Sequence, residues 1–472
     1  MKPKFIISGS GVSGLISALI LCEKGFGADT VIIEKGDTPG GLLRKFSYDE
    51  HGDFDYGMHN FLETGIKELD DLIFGLLPID QWQILEGEKR DLAGIYFNGK
   101  LQTRTPYFDL RNIDGNYGEC LADFFDHLNS TDFTISADTK TNAQDFAIKR
   151  FGKKTAECTI IPAVEKIHKK KAQELDYMAT VFTPMSRIAF AEGKLLEELT
   201  KSTELSKIIA WSDQSTLPLT RSSGRKAFYP KKYGAYRVVE AILSKLSASG
   251  VQVCTGHEII QIETADKKIA KVTTANKDGK VVEYLSPSLL IWTSNIPGLG
   301  KYLKTDFTGL KYDKPLKTIV VNILVDKPLV MGNLYYFFCY DSNFYTYRLT
   351  NYVSYSDGAI RNGHYPICIE ILVEEDILNN GFDSTSIAIN ELFKFGITQP
   401  ETKVIFAKAE VLESGFPMPS LNNIHTLRKV RADIKAKSLK NLLLSGILAE
   451  DNLFFQTDVL IDVYKKLKNY EC

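Results

Sequence analysis

The sequence predicts an α/β fold of two domains, one of them built on a parallel, Rossmann-like sheet. Two observations lead there. The chain has 472 residues, more than one ordinary hydrophobic core accommodates. Its opening residues read as strand, glycine turn, helix, strand and acid, the repeating unit of a parallel sheet that binds dinucleotides.

Lys4 to Ser8 is a short apolar run of the kind buried in such a sheet. Gly9-Ser10-Gly11-Val12-Ser13-Gly14 follows, then helical spacing from Leu15 to Lys24, closed by Gly25 and Gly27. Thr30 to Ile33 forms the next strand, and Glu34 ends it 20 residues beyond Gly14. In this pattern Gly9 permits the tight turn, Gly11 lets a pyrophosphate approach the backbone, and Gly14 lets the helix pack on the strand. The helix N-terminus at Val12, Ser13 and Gly14 offers N–H groups and partial positive charge to the phosphates. Glu34 accepts hydrogen bonds from ribose hydroxyls, and its charge disfavours the 2′-phosphate of NADP.

Composition narrows the class further. Apolar content of 44%, charged content of 25% and a mean hydropathy of −0.12 suit a soluble globular protein. The net charge of −2 predicts no polyanionic partner. The basic clusters His168-Lys169-Lys170-Lys171 and Lys465-Lys466 lack aromatic interleaving and read as solvated faces, so no nucleic acid is expected. Seven cysteines without CxxC spacing suggest neither a disulfide framework nor a metal site, and a reducing cytoplasm fits. The apolar run from Phe5 to Cys22 is interrupted by glycines and serines, and Leu21 is too bulky for signal cleavage. No stretch reaches the roughly 18 uninterrupted apolar residues of a spanning helix, while peripheral membrane association stays open.

After Glu34 the chain reads Lys35-Gly36-Asp37-Thr38-Pro39-Gly40-Gly41-Leu42-Leu43-Arg44, and later Phe54-Asp55-Tyr56-Gly57-Met58-His59-Asn60-Phe61. These stretches resemble the FAD-dependent group of amine oxidases, protoporphyrinogen oxidases, phytoene desaturases and UDP-galactopyranose mutases. The resemblance implies a Rossmann-like FAD-binding domain of the GR2 type with an inserted α+β substrate domain. It assigns Lys35, Gly40, Gly41, Leu42 and Arg44 to the nucleotide and ribityl part of the cofactor. It sets Gly57, Met58 and His59 beside the isoalloxazine. On residue type alone His59 also reads as a packed structural histidine.

The resemblance continues along the chain. Tyr96 to Lys100 reads as a hairpin with Asn-Gly at its tip. Asp145 to Gly152 and Ile161 to Lys166 resemble the group's Arg-Phe-Gly and Pro-x-x-Glu-Lys stretch, inside a helical region from about 120 to 210. Ala227 to Gly234 resembles its Tyr-Pro-Lys-x-Gly-Gly signature, followed by a helix from Val238 to Leu246 and a strand at Val251 to Val253. Val253 is assigned to the adenine, and Thr293 ends the buried strand Leu289 to Thr293 near the flavin. Thr318 to Val325 is strand-like, and Leu334 to Tyr340 with Phe344 to Asn351 reads as a hairpin. Tyr345, Tyr347 and Arg348 are candidates to face the substrate, although such aromatic strands usually form sheet surface. Asn441 to Glu450 and Phe454 to Leu460 resemble the C-terminal flavin motif, placing Gly446, Gln456, Thr457 and Val459 at the cofactor. Lys317 is the candidate for the lysine that some amine oxidases hold beside flavin N5.

The expected FAD-binding domain is discontinuous, spanning 1–100, 225–300 and 405–472, with 101–224 and 301–404 as substrate domain. The reaction expected is hydride transfer from a small molecule (an amine, a ring carbon or a nucleotide sugar) to non-covalent FAD, with His59, Lys317 and Arg348 as catalytic candidates. A role in bacterial sugar or surface-polysaccharide metabolism accompanies it. The alternative is a non-redox nucleotide-sugar isomerase of the UDP-galactopyranose-mutase type, which uses reduced flavin. Against that alternative, Ile447 stands where the mutases carry a phosphate-binding arginine, and Phe454 and Phe455 where they carry tyrosines.

Overall fold

The computed structural model describes residues 3–470 except 88, 89, 91, 114, 132, 134–140, 219–223, 413 and 414. A five-stranded parallel sheet carries the order Gln252–Cys254, Thr30–Ile33, Phe5–Ser8, Leu289–Trp292, Leu442–Leu444. Phe5–Ser8 lies between two partners and is buried along its whole length, so it shows no polar alternation. The helix Val12–Glu23 follows, and the helices Tyr236–Ala248 and Gln456–Lys468 pack against it. Strands from three separated parts of the chain thus build the α/β, Rossmann-like core.

A second sheet has seven strands, in the order Val404–Val411, Lys317–Val325, Tyr365–Val373, Thr346–Asn351, Tyr336–Cys339, Ala93–Phe97, Lys100–Gln102. The Asn-Gly hairpin forms between the last two, with Asn98 and Gly99 at φ 51° and 74°. Gly99 N donates to Asp341 Oδ2 at 2.9 Å, which ties that turn to the neighbouring hairpin. Ala93–Phe97 and Val404–Val411 pair within this sheet, although both reach into ranges expected for the first domain. The hairpin strands Tyr336–Cys339 and Thr346–Asn351 pair with Tyr336 opposite Thr350.

The helical part contains Tyr117–Leu128, Ala143–Phe151, Lys153–Cys158 and Ile160–His168, interrupted by a short strand pair, Phe108–Asp109 with Ile188–Ala189. Lys166 is buried and donates from Nζ to the carbonyls of Cys339 (2.6 Å) and Thr346, so this helix grips both strands of the hairpin. The basic run beside it is a solvated face only in part, with Lys171 exposed. His168 is fully buried, and Lys169 closes the helix in the left-handed region at φ 53°. Burial first and the charge of Lys166 second push the Lys169 amine down to about 8. The run packs here because the helix end forms one wall of a cleft of about 670 Å³, shared with Asp313, Lys314, Glu374 and Glu375. Among the described residues no helix is long and apolar enough to cross a membrane. No group of three His, Cys, Asp or Glu among them is placed to hold a metal ion.

Candidate cofactor and active site

At the end of Phe5–Ser8 the chain turns through Gly9, at φ 98°, whose N–H donates to Ile33 O at 2.8 Å. A Cβ on Gly14 would lie 2.0 Å from Gly9 O, so the helix is seated directly on the turn. Gly11 differs in kind. Its backbone is ordinary (φ −66°, ψ 177°), and a Cβ there would meet nothing within 4 Å. The fold therefore places no steric demand for glycine at this position, which faces open space. The first intrahelical bond runs from Leu15 N to Gly11 O at 2.9 Å, so the N–H groups of Val12, Ser13 and Gly14 have no partner within the helix. No side chain caps that end.

Glu34 is oriented beside this space by three donors. Its Oε2 accepts from Ser10 N (2.8 Å) and Ser10 Oγ (2.6 Å), and its Oε1 from Gly36 N (2.6 Å). Lone pairs remain on both oxygens for ribose hydroxyls. Val253 stands on the edge strand opposite Ile32, and Glu34 N donates to Cys254 O at 2.9 Å, so the edge strand flanks the acid. Lys35 turns outward to Glu258 at 2.9 Å. Gly41 lies against the first turn, where a Cβ would fall 2.9 Å from Gly11 Cα, and Gly40 N donates to Ser10 O at 3.0 Å. Arg44 Nε donates to Gly41 O at 2.9 Å, its guanidinium lies 4.6 Å over the Tyr56 ring, and Leu42 is exposed beside it.

The C-terminal motif closes on the same place. A Cβ on Gly446 would meet Thr293 O at 2.9 Å, Thr293 Oγ1 donates to Ser8 O at 2.6 Å, and the hydroxyls of Ser13 and Ser445 are 3.1 Å apart. In the helix Gln456–Lys468 the first bond is Val459 N to Phe455 O at 3.1 Å. Gln456, Thr457 and Asp458 therefore carry the N–H groups left for an outside acceptor. Val459 is set apart from them: its N–H is used and its side chain is core.

The Gly57–His59 turn meets the second sheet. A Cβ on Gly57 would fall 2.5 Å from Glu370 Oε1. Glu370 receives a two-point ion pair from Arg348 on the adjacent strand, Nη2 to Oε1 at 2.8 Å and Nε to Oε2. Burial first and the Arg348 charge second push the His59 imidazole down to about 4. It is neutral near pH 7, beside a fixed cation. Met58 is partly buried against the same core. Beneath the turn, Asp55 is fully buried and accepts from Tyr229 OH (2.7 Å) and Ala235 N (2.9 Å), while its own N–H donates to Tyr233 OH at 3.0 Å. Burial pushes its carboxyl up to about 6. This network joins the Phe54–Phe61 stretch to the Ala227–Gly234 signature.

Three expected members, Lys317, Tyr345 and Tyr347, lie elsewhere. Lys317 stands opposite Val373, whereas Glu370 stands opposite Val320, three residues along the strand. Side chains alternate, so Lys317 is on the face opposite to that of Glu370, where it pairs with Glu375 at 3.3 Å. A register shift between Thr346 and Arg348 separates the three hairpin candidates. Tyr347 packs against Phe338 and Phe416 in the helical core, Tyr345 meets Phe382 at the surface, and Arg348 alone of the three acts on His59, through its charge. Sequence reasoning missed Glu370 and Asp55. Glu370 had a readable signal, a single carboxylate inside the apolar run Tyr365–Val373, which burial forbids without a partner.

Residues 7–72 match the family described as NAD(P)-binding Rossmann-like domain. Among solved structures, a reduced UDP-galactopyranose mutase superposes with a TM-score of 0.74 at 18% identity, covering 99% of this chain and 93% of that one. The fold is that of the FAD-dependent amine-oxidase and UDP-galactopyranose-mutase group. A provisionally named protoporphyrinogen oxidase from Exiguobacterium sp. 255-15 gives 0.67 at 15% identity, covering 99% and 98% of the two chains. A putrescine oxidase bound to putrescine gives 0.62 at 12%, covering 99% of each. At these identities the likeness is one of fold. No curated protein matches the sequence significantly.

Proposed function

We propose that the chain binds FAD non-covalently and uses it, in the reduced state, to isomerise a nucleotide sugar without net redox change. The cofactor assignment rests on one observation: the space open above Gly11, ringed by the N–H groups of Val12, Ser13 and Gly14 and by Glu34. Those donors suit a pyrophosphate and that carboxylate a ribose. Gly40, Gly41 and Arg44 continue the cradle, and the N-terminus of Gln456–Lys468 supplies further donors. Bound there, FAD brings the reactive ring on which the chemistry depends. The residues of the chain position it. Gly57 and His59 form the wall toward the second sheet, His59 stays neutral, and Arg348, held by Glu370, keeps a positive charge on the substrate side.

Isomerisation is preferred over hydride transfer because the mutase fold fits better, at a TM-score of 0.74 against 0.67 and 0.62 for the two oxidases. This reverses the order expected from the sequence. The oxidoreductase reading keeps one supporting observation: Ile447 and Phe455 expose apolar surface, and Phe454 stacks on Phe182 at 3.5 Å, where a diphosphate calls for polar ligands. An absorption spectrum tests the cofactor, through bands near about 375 and 450 nm and FAD released on denaturation. Dithionite-reduced protein offered nucleotide sugars anaerobically separates the chemistries. Turnover only in the reduced state supports isomerisation, and oxygen-dependent turnover of an amine or alcohol rejects it.

A further inference from the structure

Cys120 and Cys158 are 38 residues apart and share no motif spacing, yet the fold brings them together. They lie on the helices Tyr117–Leu128 and Lys153–Cys158, which are pinned side by side. Thr155 Oγ1 donates to Cys120 O at 2.8 Å, and Thr155 N to Asp123 Oδ2 at 3.1 Å. Cys158 follows Thr155 by three residues, one turn on, so its side chain is carried to the flank of Cys120. A cavity of about 530 Å³ runs alongside, lined by Cys158, by Asn116 one turn before Cys120, and by Pro162 one turn after Cys158. Cys120 is fully buried and Cys158 is partly exposed at that cavity.

Of the ionisable side chains around Cys120, that of Cys158 acts on it most strongly. Burial first and the Cys158 sulfur second push the Cys120 thiol up to about 12. Three of the other described cysteines instead meet oxygen groups: Cys22 meets Ser249, Cys254 meets Tyr284, and Cys368 meets Tyr352.

We propose that Cys120 and Cys158 form a hydroperoxide-reactive dithiol that converts reversibly to a disulfide. Cys158, reached through the cavity, attacks one peroxide oxygen; an S–O bond forms, the O–O bond breaks, and the thiol proton leaves with the departing oxygen as water. Cys120 then attacks the Cys158 sulfur; the S–S bond forms, the S–O bond breaks, and a second water carries off the Cys120 proton. The two sulfurs lose two electrons together and one hydrogen peroxide is reduced to two waters. The bridge would staple the helix leading into Ile160–His168, whose Lys166 holds the hairpin that bears Arg348. The site is independent of the flavin reading.

The experiment uses full-length protein, reduced and freed of thiol, then exposed to hydrogen peroxide, quenched with iodoacetamide and mapped without reduction. The expected result is a linked peptide pair joining Cys120 to Cys158, about 2 Da lighter than the two thiols and separated again by dithiothreitol. In Cys120→Ser, Cys158 should instead be trapped by dimedone as a sulfenic acid. Recovery of both cysteines alkylated in wild-type protein, or over-oxidation of Cys158 without a bridge, would overturn the proposal. The wild-type map decides even where Cys120→Ser folds poorly.

Discussion

Gly11→Ala separates cofactor binding from folding. At φ −66° and ψ 177° alanine is unstrained, and its Cβ would meet no atom of the chain. The fold should therefore change by about 1 kcal/mol or less, the small N-cap preference for glycine being set against a stiffer unfolded chain. The methyl group does occupy the space where a pyrophosphate must approach Val12, Ser13 and Gly14. Displacing the phosphate from two charge-assisted N–H contacts removes about 3–5 kcal/mol, or roughly two to four orders of magnitude in FAD affinity. Gly14→Ala is the contrasting control. Its Cβ would stand 2.0 Å from Gly9 O, a backbone atom that cannot move aside, so the fold itself should lose about 3 kcal/mol. Fluorescence titration of the apoprotein with FAD, beside urea unfolding of each variant, measures both quantities. If Gly11→Ala binds FAD within about threefold of wild type while folding normally, the pyrophosphate does not lie at this turn.

Further outcomes follow from the same geometry. Glu34→Ala should weaken FAD retention on dilution by about tenfold to a hundredfold, because a ribose acceptor is lost and Ser10 and Gly36 lose theirs as well. The His59 ring should titrate in the apoprotein with a midpoint near 4, read by NMR, so its contribution to stability is present above pH 6.5 and lost as pH falls toward 4. A midpoint near the ordinary 6.5 would contradict its partial burial beside the Arg348 charge. Glu370→Gln should destabilise by about 3–5 kcal/mol because Arg348 keeps a buried, unpaired charge, and Arg348→Met with Glu370→Leu should recover much of that in urea unfolding. Asp55, raised to about 6, favours the folded state below its unfolded value, and that stability is lost as pH rises through 6. Wild type should lose about 2 kcal/mol relative to Asp55→Asn between pH 4 and 6, and equal slopes would reject a buried, proton-binding Asp55.

Local patterns were legible wherever the backbone alone sets them. The turn Gly9–Gly14, the strand Thr30–Ile33, the acid Glu34 and the Asn98-Gly99 hairpin could be read because spacing and glycine placement act over a few residues. What the sequence by itself determined is thus a glycine turn between strand and helix at the start of a parallel, Rossmann-like sheet. The tertiary structure decided which distant side chains meet. Glu370 reaches Gly57 across more than three hundred residues. Lys317 left the expected site because strand alternation turned it to the other face. The run His168–Lys171 became the wall of a cleft because a helix end packed there. Cys120 found Cys158 through the docking of two helices. Composition and periodicity specify which face of an element is buried; which partner covers that face depends on how the sheets and helices pack, and no local pattern encodes it.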